Sequence, residues 1–327
     1  MDRLQYILSQ VLSPLMSPIL PGERIYWLYI GSALIIAFAV YLATYASRRV
    51  GLIKGFITYC FPKNVFAHKS AIVDYKYFLI NKMTFAILFA PLIIGSSAVS
   101  GWSIDVLGFI WGPAEPGGPP GVLTSAVLTI CAILAMDGAI FIAHYLQHTV
   151  PVLWEFHKVH HSAEVLTPIT AYRIHPVGQI LTGIIAGVLV GVVQGAFGYF
   201  YGDTVGLITL MQVNIVLFVF YVGGYNLRHS HIWLSYPRWL SHILISPAQH
   251  QIHHSADPKH FNKNIAFIFA FWDYFAGTLY VPSTREDLTY GLYNDEHKAF
   301  DGVFNLYFLP FKNVAAHFPT TRKQRAK

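Results

Sequence analysis

The feature that most constrains this chain is a set of five apolar runs, Ile25–Ala46, Met83–Ser100, Gly121–Ala143, Val177–Gly202 and Thr204–Val222, which together contain a single charged residue, Asp137. A helix needs about 20 residues at 1.5 Å each to cross a bilayer. In lipid a backbone must satisfy its own polar groups, so such runs predict helices. The last two runs are separated by little more than Asp203 and read as a tight transmembrane hairpin or a partly re-entrant pair. The expected fold is therefore all-α: a polytopic bundle of about four to five membrane helices with a helical cap on the cytoplasmic side.

Composition agrees, since 54% of the 327 residues are hydrophobic and only 12% are charged, about half the charged share of an ordinary soluble domain. Of the 22 Lys and Arg, all but Arg3 and Arg24 fall in the segments between the first and second runs, between the third and fourth, and after the fifth. The loop Gly101–Pro120 carries Asp105 and Glu115 but no basic residue. By the positive-inside rule these segments are cytoplasmic, with the N-terminus outside. The net charge of +6 then suits anionic lipid headgroups, and no base-reading motif argues for nucleic acid. Gln5, Gln10, Pro14 and Pro18 interrupt Leu4–Leu20, which reads as an interfacial helix and not as a signal peptide. Gly183, Gly187, Gly191 and Gly195 line one face of the fourth run, a flat ridge for close helix packing.

Sixteen histidines are present, and thirteen lie between His144 and His260. Three clusters stand out: His144-Tyr-Leu-Gln-His148, His157-Lys-Val-His160-His161 and His250-Gln-Ile-His253-His254. At i, i+3 and i+4 on a helix, side chains share one face with Cβ atoms about 5–6 Å apart, so each cluster aims imidazoles at one point. All eight rings follow the third or fifth run and can meet at the inner membrane face. His229 or His231 could join them, and His175 could serve as a ligand, a supporting residue or a helix cap. Imidazole suits iron, zinc, copper or nickel. Eight to ten rings exceed what one four-coordinate zinc uses, which favours two metal ions. With only Cys60 and Cys131, thiolates cannot build the site. Carboxylates commonly orient metal-bound rings, and Asp137, Glu155, Glu164, Asp257 and Asp273 are the candidates.

The HxxxH, HxxHH and second HxxHH clusters, the phrases Phe156-His-Lys-Val-His-His-Ser162, Arg173-Ile-His-Pro176 and Ser246-Pro-Ala-Gln-His-Gln-Ile-His-His-Ser255, and Trp272-Asp273 followed by Gly277-Thr-Leu-Tyr280 resemble the fatty acid hydroxylase and sterol desaturase superfamily, in wording closest to its bacterial sterol-desaturase-like members. Lys263-Asn-Ile-Ala266 and Phe275-Ala-Gly-Thr278 depart from the family wording. The resemblance implies a membrane-bound non-haem di-iron oxygenase of the bacterial inner membrane, with its active site on the cytoplasmic face. Such an enzyme hydroxylates or desaturates a C–H bond of a sterol or hopanoid-like, fatty acyl or related lipid. Carried over by motif, the ligands of two iron ions, for which zinc can substitute, are His144, His148, His157, His160, His161, His229, His250, His253 and His254. No dinucleotide fingerprint or cluster-binding cysteine set is present, so electrons are expected from a separate ferredoxin, cytochrome or reductase. The same reading divides the chain into an interfacial segment 1–24, a catalytic domain 25–282 with its histidine clusters within 137–280, and a cytoplasmic tail 283–327. A polyhistidine metal transporter or a haem- or metal-binding protein is the alternative, although transporters place their ligands near the midplane, and these clusters lie outside the runs. A zinc hydrolase would need His-Glu-x-x-His, which does not occur.

Overall fold

A computed structural model describes residues 11–45, 52–113, 121–202 and 205–318. The helices that frame the site are α1 (Trp27–Tyr45), α2 (Lys69–Thr84), α3 (Ser96–Trp111), α4 (Val122–Thr149), α5 (Pro151–His161) and α6 (Pro176–Tyr201), then, after a hairpin of β1 (Thr209–Leu210) and β2 (Val213–Asn214), α7 (Ile215–Val222), α8 (Pro247–His253), α9 (Phe271–Ala276) and α10 (Val303–His317); shorter helices at Leu52–Cys60, Lys63–Phe66 and Arg238–Ser241 lie between them. The all-α membrane architecture holds. Four stretches are long and apolar enough to cross a bilayer: Trp27–Thr44, Lys69–Trp111, Val122–Thr149 and Pro176–Tyr201. Arg48, Arg49, Glu115, Asp203 and the basic positions 322–327 lie outside the described residues, as does 4–10 of the N-terminal segment. The described part of that segment is helical at 11–19, with Leu12, Leu15 and Ile19 exposed.

Two expected spans differ from the sequence reading. Met83–Ser100 is not one helix. After α2 the backbone widens into a π-turn at Phe85–Phe89, tightens over Ala90–Leu92, and restarts at α3 behind Gly95. Pro91 sits at that break, where its missing N–H and its ring cannot continue the ladder. The fifth run is a correction of larger consequence, because Met211 and Gln212 adopt left-handed φ values of 51° and 64° and fold the chain into a hairpin. Only the eight residues of α7 remain helical, about 12 Å of rise. Thr209 and Leu210 are exposed strand, which a lipid-facing segment does not tolerate. The run nevertheless leads back to the histidines. Thr129, two turns into α4, receives the Ile208 N–H on its hydroxyl at 2.8 Å and the Asn214 amide on its carbonyl at 3.1 Å.

The glycine ridge of α6 is filled by α3. A Cβ at Gly187 would sit 2.1 Å from the Ile94 carbonyl oxygen, and one at Gly191 would sit 2.6 Å from Val99 Cβ. Helix α4 runs antiparallel to α6, so its C-terminal end, with His144 and His148, lies beside the start of α6. Pro151 at the first turn of α5 suits a helix start and turns the chain across the end of α4. Residues 283–318 do not trail away as a tail: α10 packs on α5 and α2, with Phe311 5.1 Å from Phe156 and the Tyr307 hydroxyl 2.9 Å from Asn81. Its Phe304, Phe308 and Phe311 stay exposed, leaving one helix face apolar.

Candidate metal centre

Helix α4 presents His144 and His148 one turn apart, α5 presents His157, His160 and His161, and α8 with its cap presents His250, His253 and His254. His229 enters from the short turn after Tyr225–Leu227. Helix α8 starts at a reciprocal cap between Ser246 and Gln249, with Pro247 in its first turn, an arrangement that satisfies two otherwise orphaned N–H groups.

These nine rings form two groups. His144, His148, His157, His161 and His253 make one, and His160, His229, His250 and His254 the other; within each, one nitrogen per ring lies within 4.8 Å of all the rest. His144 Nε2 is 3.0 Å from His157 Nε2, and His229 Nε2 is 3.1 Å from both His250 Nε2 and His254 Nε2. His144 and His148 are half-buried and the other seven are buried.

The outer nitrogens explain the orientation. His144 Nδ1–H donates to the Ile265 carbonyl at 2.6 Å, His253 Nδ1–H to the Lys263 carbonyl at 2.8 Å, and His160 Nδ1–H to the Arg173 carbonyl at 3.2 Å. His148 Nδ1 is 3.2 Å from Asn262 Oδ1. A carbonyl only accepts, so each of these rings carries its proton on Nδ1 and turns the Nε2 lone pair inward. The Nε2 atoms of His148, His161 and His253 are buried with no hydrogen-bond partner. Burial and the neighbouring rings hold His157, His161, His229, His250, His253 and His254 well below the usual imidazole range, and His160 is lowered to about 3 by burial first. Clustered neutral lone pairs without donors are costly unless a cation satisfies them, so the five-histidine group fits a metal ion; the four-histidine group fits a second through His160, His229 and His254, and His250, whose Nδ1 accepts from Arg228, joins them only by giving up its Nε2 proton.

The five carboxylates behave differently from expectation, and among the described residues none is hydrogen-bonded to one of the nine rings. Asp137 accepts from the Ile268 and Phe269 N–H groups and from Trp272 Nε1 at 2.8, 3.0 and 2.9 Å. Asp273 accepts from the Ile265 and Ala266 N–H groups at 2.8 and 3.0 Å. Both brace the segment whose carbonyls orient the rings, one covalent step further out than a carboxylate–imidazole pair. Glu155 binds Lys158, Asn313 and His317; Glu164 faces Lys69 and His297; Asp257 caps the turn at Lys259. His175 caps α6, its Nδ1 accepting from Val177 N–H and its Nε2–H donating to the Tyr307 carbonyl. His231 Nε2–H donates to the Tyr59 carbonyl and lies in neither group.

Sequence reasoning missed the supports. Arg173 is buried and reaches Asp74 at 2.7 Å, the Val159 carbonyl at 2.8 Å and the Ser162 hydroxyl at 2.8 Å, tying α2 to the end of α5. Arg228 donates to His250 Nδ1 at 3.0 Å and lies 5.3 Å from the Phe267 ring centroid. Asp74 stands between Lys69 and Lys76, and the apolar residues around it are its only signal in the sequence. Asn262 and Asn264, both with left-handed φ, could have been read as tight-turn residues.

A cavity of about 460 Å³ opens beside the centre. His144, His157, His160, His229 and His250 form its floor, and Ile133, Met136 and Ile140 of α4, Gly183 and Ala186 of α6, and Leu217 form apolar walls. On the other side of the five-histidine group, a cavity of about 340 Å³ is lined by His148, His161, His253, Trp154, Asn262 and Glu296.

Residues 129–278, the span that holds every one of the nine histidines, match the fatty acid hydroxylase family. That segment is what this chain shares with the fatty acid hydroxylase family. Among curated relatives, it is 28% identical to the alkylglycerol monooxygenase of Danio rerio over 166 residues, 49% of this chain, and 24% identical to that of Caenorhabditis elegans over 182 residues, 56% of this chain. Each alignment covers 32% of the relative, so the chain spans about a third of their length. These matches support the superfamily and do not single out its bacterial sterol-desaturase-like branch. No solved structure matches. The family match over 129–278 and the four helices long and apolar enough to cross a bilayer together support a membrane-resident protein.

Proposed function

We propose that the chain is an oxygenase that hydroxylates a C–H bond of a membrane lipid, with two iron ions held by His144, His148, His157, His161 and His253 on one side and by His160, His229, His250 and His254 on the other. The observation that carries this reading is the junction of the two neutral histidine groups with one apolar cavity. Iron, when bound, supplies the redox activation of dioxygen that no side chain can provide. The protein does the rest. The α4 and α6 walls hold an aliphatic chain against the rings and exclude water, and the carbonyls of Arg173, Lys263 and Ile265 keep the Nδ1 protons outward.

The reaction balances as lipid C–H plus dioxygen, two electrons and two protons giving lipid C–OH and water. The electrons come from a separate ferredoxin, cytochrome or reductase, and the site faces the cytoplasmic side. Because the relatives are monooxygenases of alkylglycerols, hydroxylation precedes desaturation as the outcome to test, and an ether lipid precedes sterol or fatty acyl substrates. Metal transport or haem binding leaves the apolar cavity without a use. The test has two parts: elemental mass spectrometry on protein purified without a polyhistidine tag or chelator, and lipid analysis after incubation with isotopically labelled dioxygen. Two irons per chain and one labelled oxygen atom in a lipid product are expected. A folded preparation that never binds a second metal sinks the reading.

A further inference from the structure

Arg24 places a cation in the wall of the apolar cavity. It lies three residues before α1 and lines the same space as His160 and His229, on the histidine side and not on the opposite membrane face that the charge count gave it. Its position is fixed from both ends: the Arg24 carbonyl accepts from Asn226 Nδ2 at 3.0 Å, and its Nη1 donates to the Ala171 carbonyl at 2.9 Å. The guanidinium carbon stands 5.8 Å from the centre of the Tyr172 ring, and Tyr221 lines the same cavity. The adjacent carboxylate, Glu23, is taken up by Lys82 and by the Tyr172 hydroxyl.

A guanidinium carries five N–H donors, and the Ala171 bond engages one of them. Arg24 is half-buried in that wall, and a donor that leaves water needs an acceptor to replace it. Little in the wall answers that need. Ile93, Ile133, Met136, Ile140 and Leu217 offer only carbon or thioether atoms, and Gln179, whose amide nitrogen donates to the Ile174 carbonyl at 2.9 Å, offers its amide oxygen. The other cation in the cavity, Arg228, donates through its terminal nitrogens to His250 and to the Phe267 and Ala266 carbonyls, and its Nε is buried without a partner.

We infer that Arg24, supported by Tyr221, is the headgroup-selecting residue of this cavity, binding the acceptor oxygens of a hydroxylated or phosphorylated lipid headgroup while the aliphatic chain lies between α4 and α6. This assignment rests on the lipid reading above and adds what that reading leaves open, the polar chemistry of the substrate. A lipid without acceptor oxygens gains nothing from Arg24, so the residue discriminates among molecules with identical tails.

The experiment measures equilibrium binding of three probes that share one chain, hexadecylglycerol, hexadecyl phosphate and hexadecane, to the purified full-length protein under anaerobic conditions, where nothing turns over. Arg24→Leu is expected to weaken at least one of the two headgroup probes by about tenfold or more and to leave hexadecane unchanged. Which probe suffers identifies the source of the oxygens. Arg24→Lys keeps the charge and loses the planar fork, so it should restore the phosphate better than the glycerol ether. Tyr221→Phe leaves the Ala171 bond in place and should weaken the same probe by about threefold. Should Arg24→Leu fail to fold, Arg24→Lys and Tyr221→Phe decide the matter. Unchanged headgroup affinity in the folded variants, or an equal loss for hexadecane, overturns the assignment. Failure of the oxygenase reading would appear instead as absent metal or product with these binding differences intact.

Discussion

The buried pair between Asp74 and Arg173 offers the sharpest test of how the centre is held. Arg173 Nη1 and Asp74 Oδ1 are 2.7 Å apart, with side chains 1% and 0% exposed, and Thr170 donates its hydroxyl to the second Asp74 oxygen at 2.7 Å. Asp74→Ala leaves the guanidinium buried beside Val159 and Ser162 with no counter-charge, which costs about 3–5 kcal/mol. Asp74→Ala with Arg173→Met removes both charges. What remains lost are the three bonds from Arg173 to the Val159 carbonyl, the Ser162 hydroxyl and the Phe300 carbonyl, at about 1 kcal/mol each. The Arg173 carbonyl that accepts from His160 belongs to the backbone and survives in both variants. The double variant should therefore be no less stable than the single one and should keep more metal in the four-histidine group. Unfolding in detergent, read beside metal content per chain, measures both quantities. A single variant with wild-type stability, or a double variant markedly worse than the single, refutes the reasoning.

His175 sets an acid limit. Burial lowers it to about 4 from an unfolded value of about 6.5, so the unfolded chain binds the extra proton first; stability is intact above about pH 6.5 and falls towards pH 4, by up to about 3 kcal/mol. His175→Asn, which can still cap α6, should flatten that limb, and an unchanged acid profile counts against it. Gly187→Leu should abolish the α3–α6 contact and the folded yield, whereas Gly31→Leu, with nothing within 4 Å of its Cβ position, should express normally; equal yields would show that the ridge is not packed as described. Asp273→Asn replaces an acceptor of two N–H groups by an amide with one oxygen, costs about 2 kcal/mol, and should lower metal retention in the five-histidine group more than in the other. Equal loss from both groups would argue against a local brace.

The histidines were legible because their chemistry and spacing coincide: rings at i, i+3 and i+4 can converge only on a helix, and three such sets in one compartment have few uses. Three of the four apolar stretches, those of α1, α4 and α6, were legible for a similar reason, since lipid leaves the backbone little choice. What escaped was set by tertiary contact. Nothing in Thr204–Val222 announces that Met211 and Gln212 will turn left-handed and break an apolar run. Nor does the sequence reveal that Asp74 meets Arg173, 99 residues away. Carboxylates were expected at the rings because they usually stand there, and the chain uses backbone carbonyls instead, which composition cannot display.

That substitution has a physical consequence. Ile265, Lys263 and Asn262 supply acceptors to His144, His253 and His148, so one four-residue stretch orients three of the five rings in the first group. The stretch is rigid for stated reasons. Asp273 takes its N–H groups, Asn264 donates to the Gln249 carbonyl at 3.0 Å, and the Tyr280 N–H closes on Asn264 Oδ1 at 2.8 Å. The second group has no such bracket; its outer contacts come from Arg173, held by Asp74, and from Arg228, held among aromatic rings and carbonyls. Neutral carbonyl acceptors push less electron density onto an imidazole than a carboxylate does, and a guanidinium beside His250 withdraws it. Two metal ions held by these groups would therefore be electronically unequal, with the weaker donor set on the side where His160, His229 and His250 meet the cavity that Arg24 also lines.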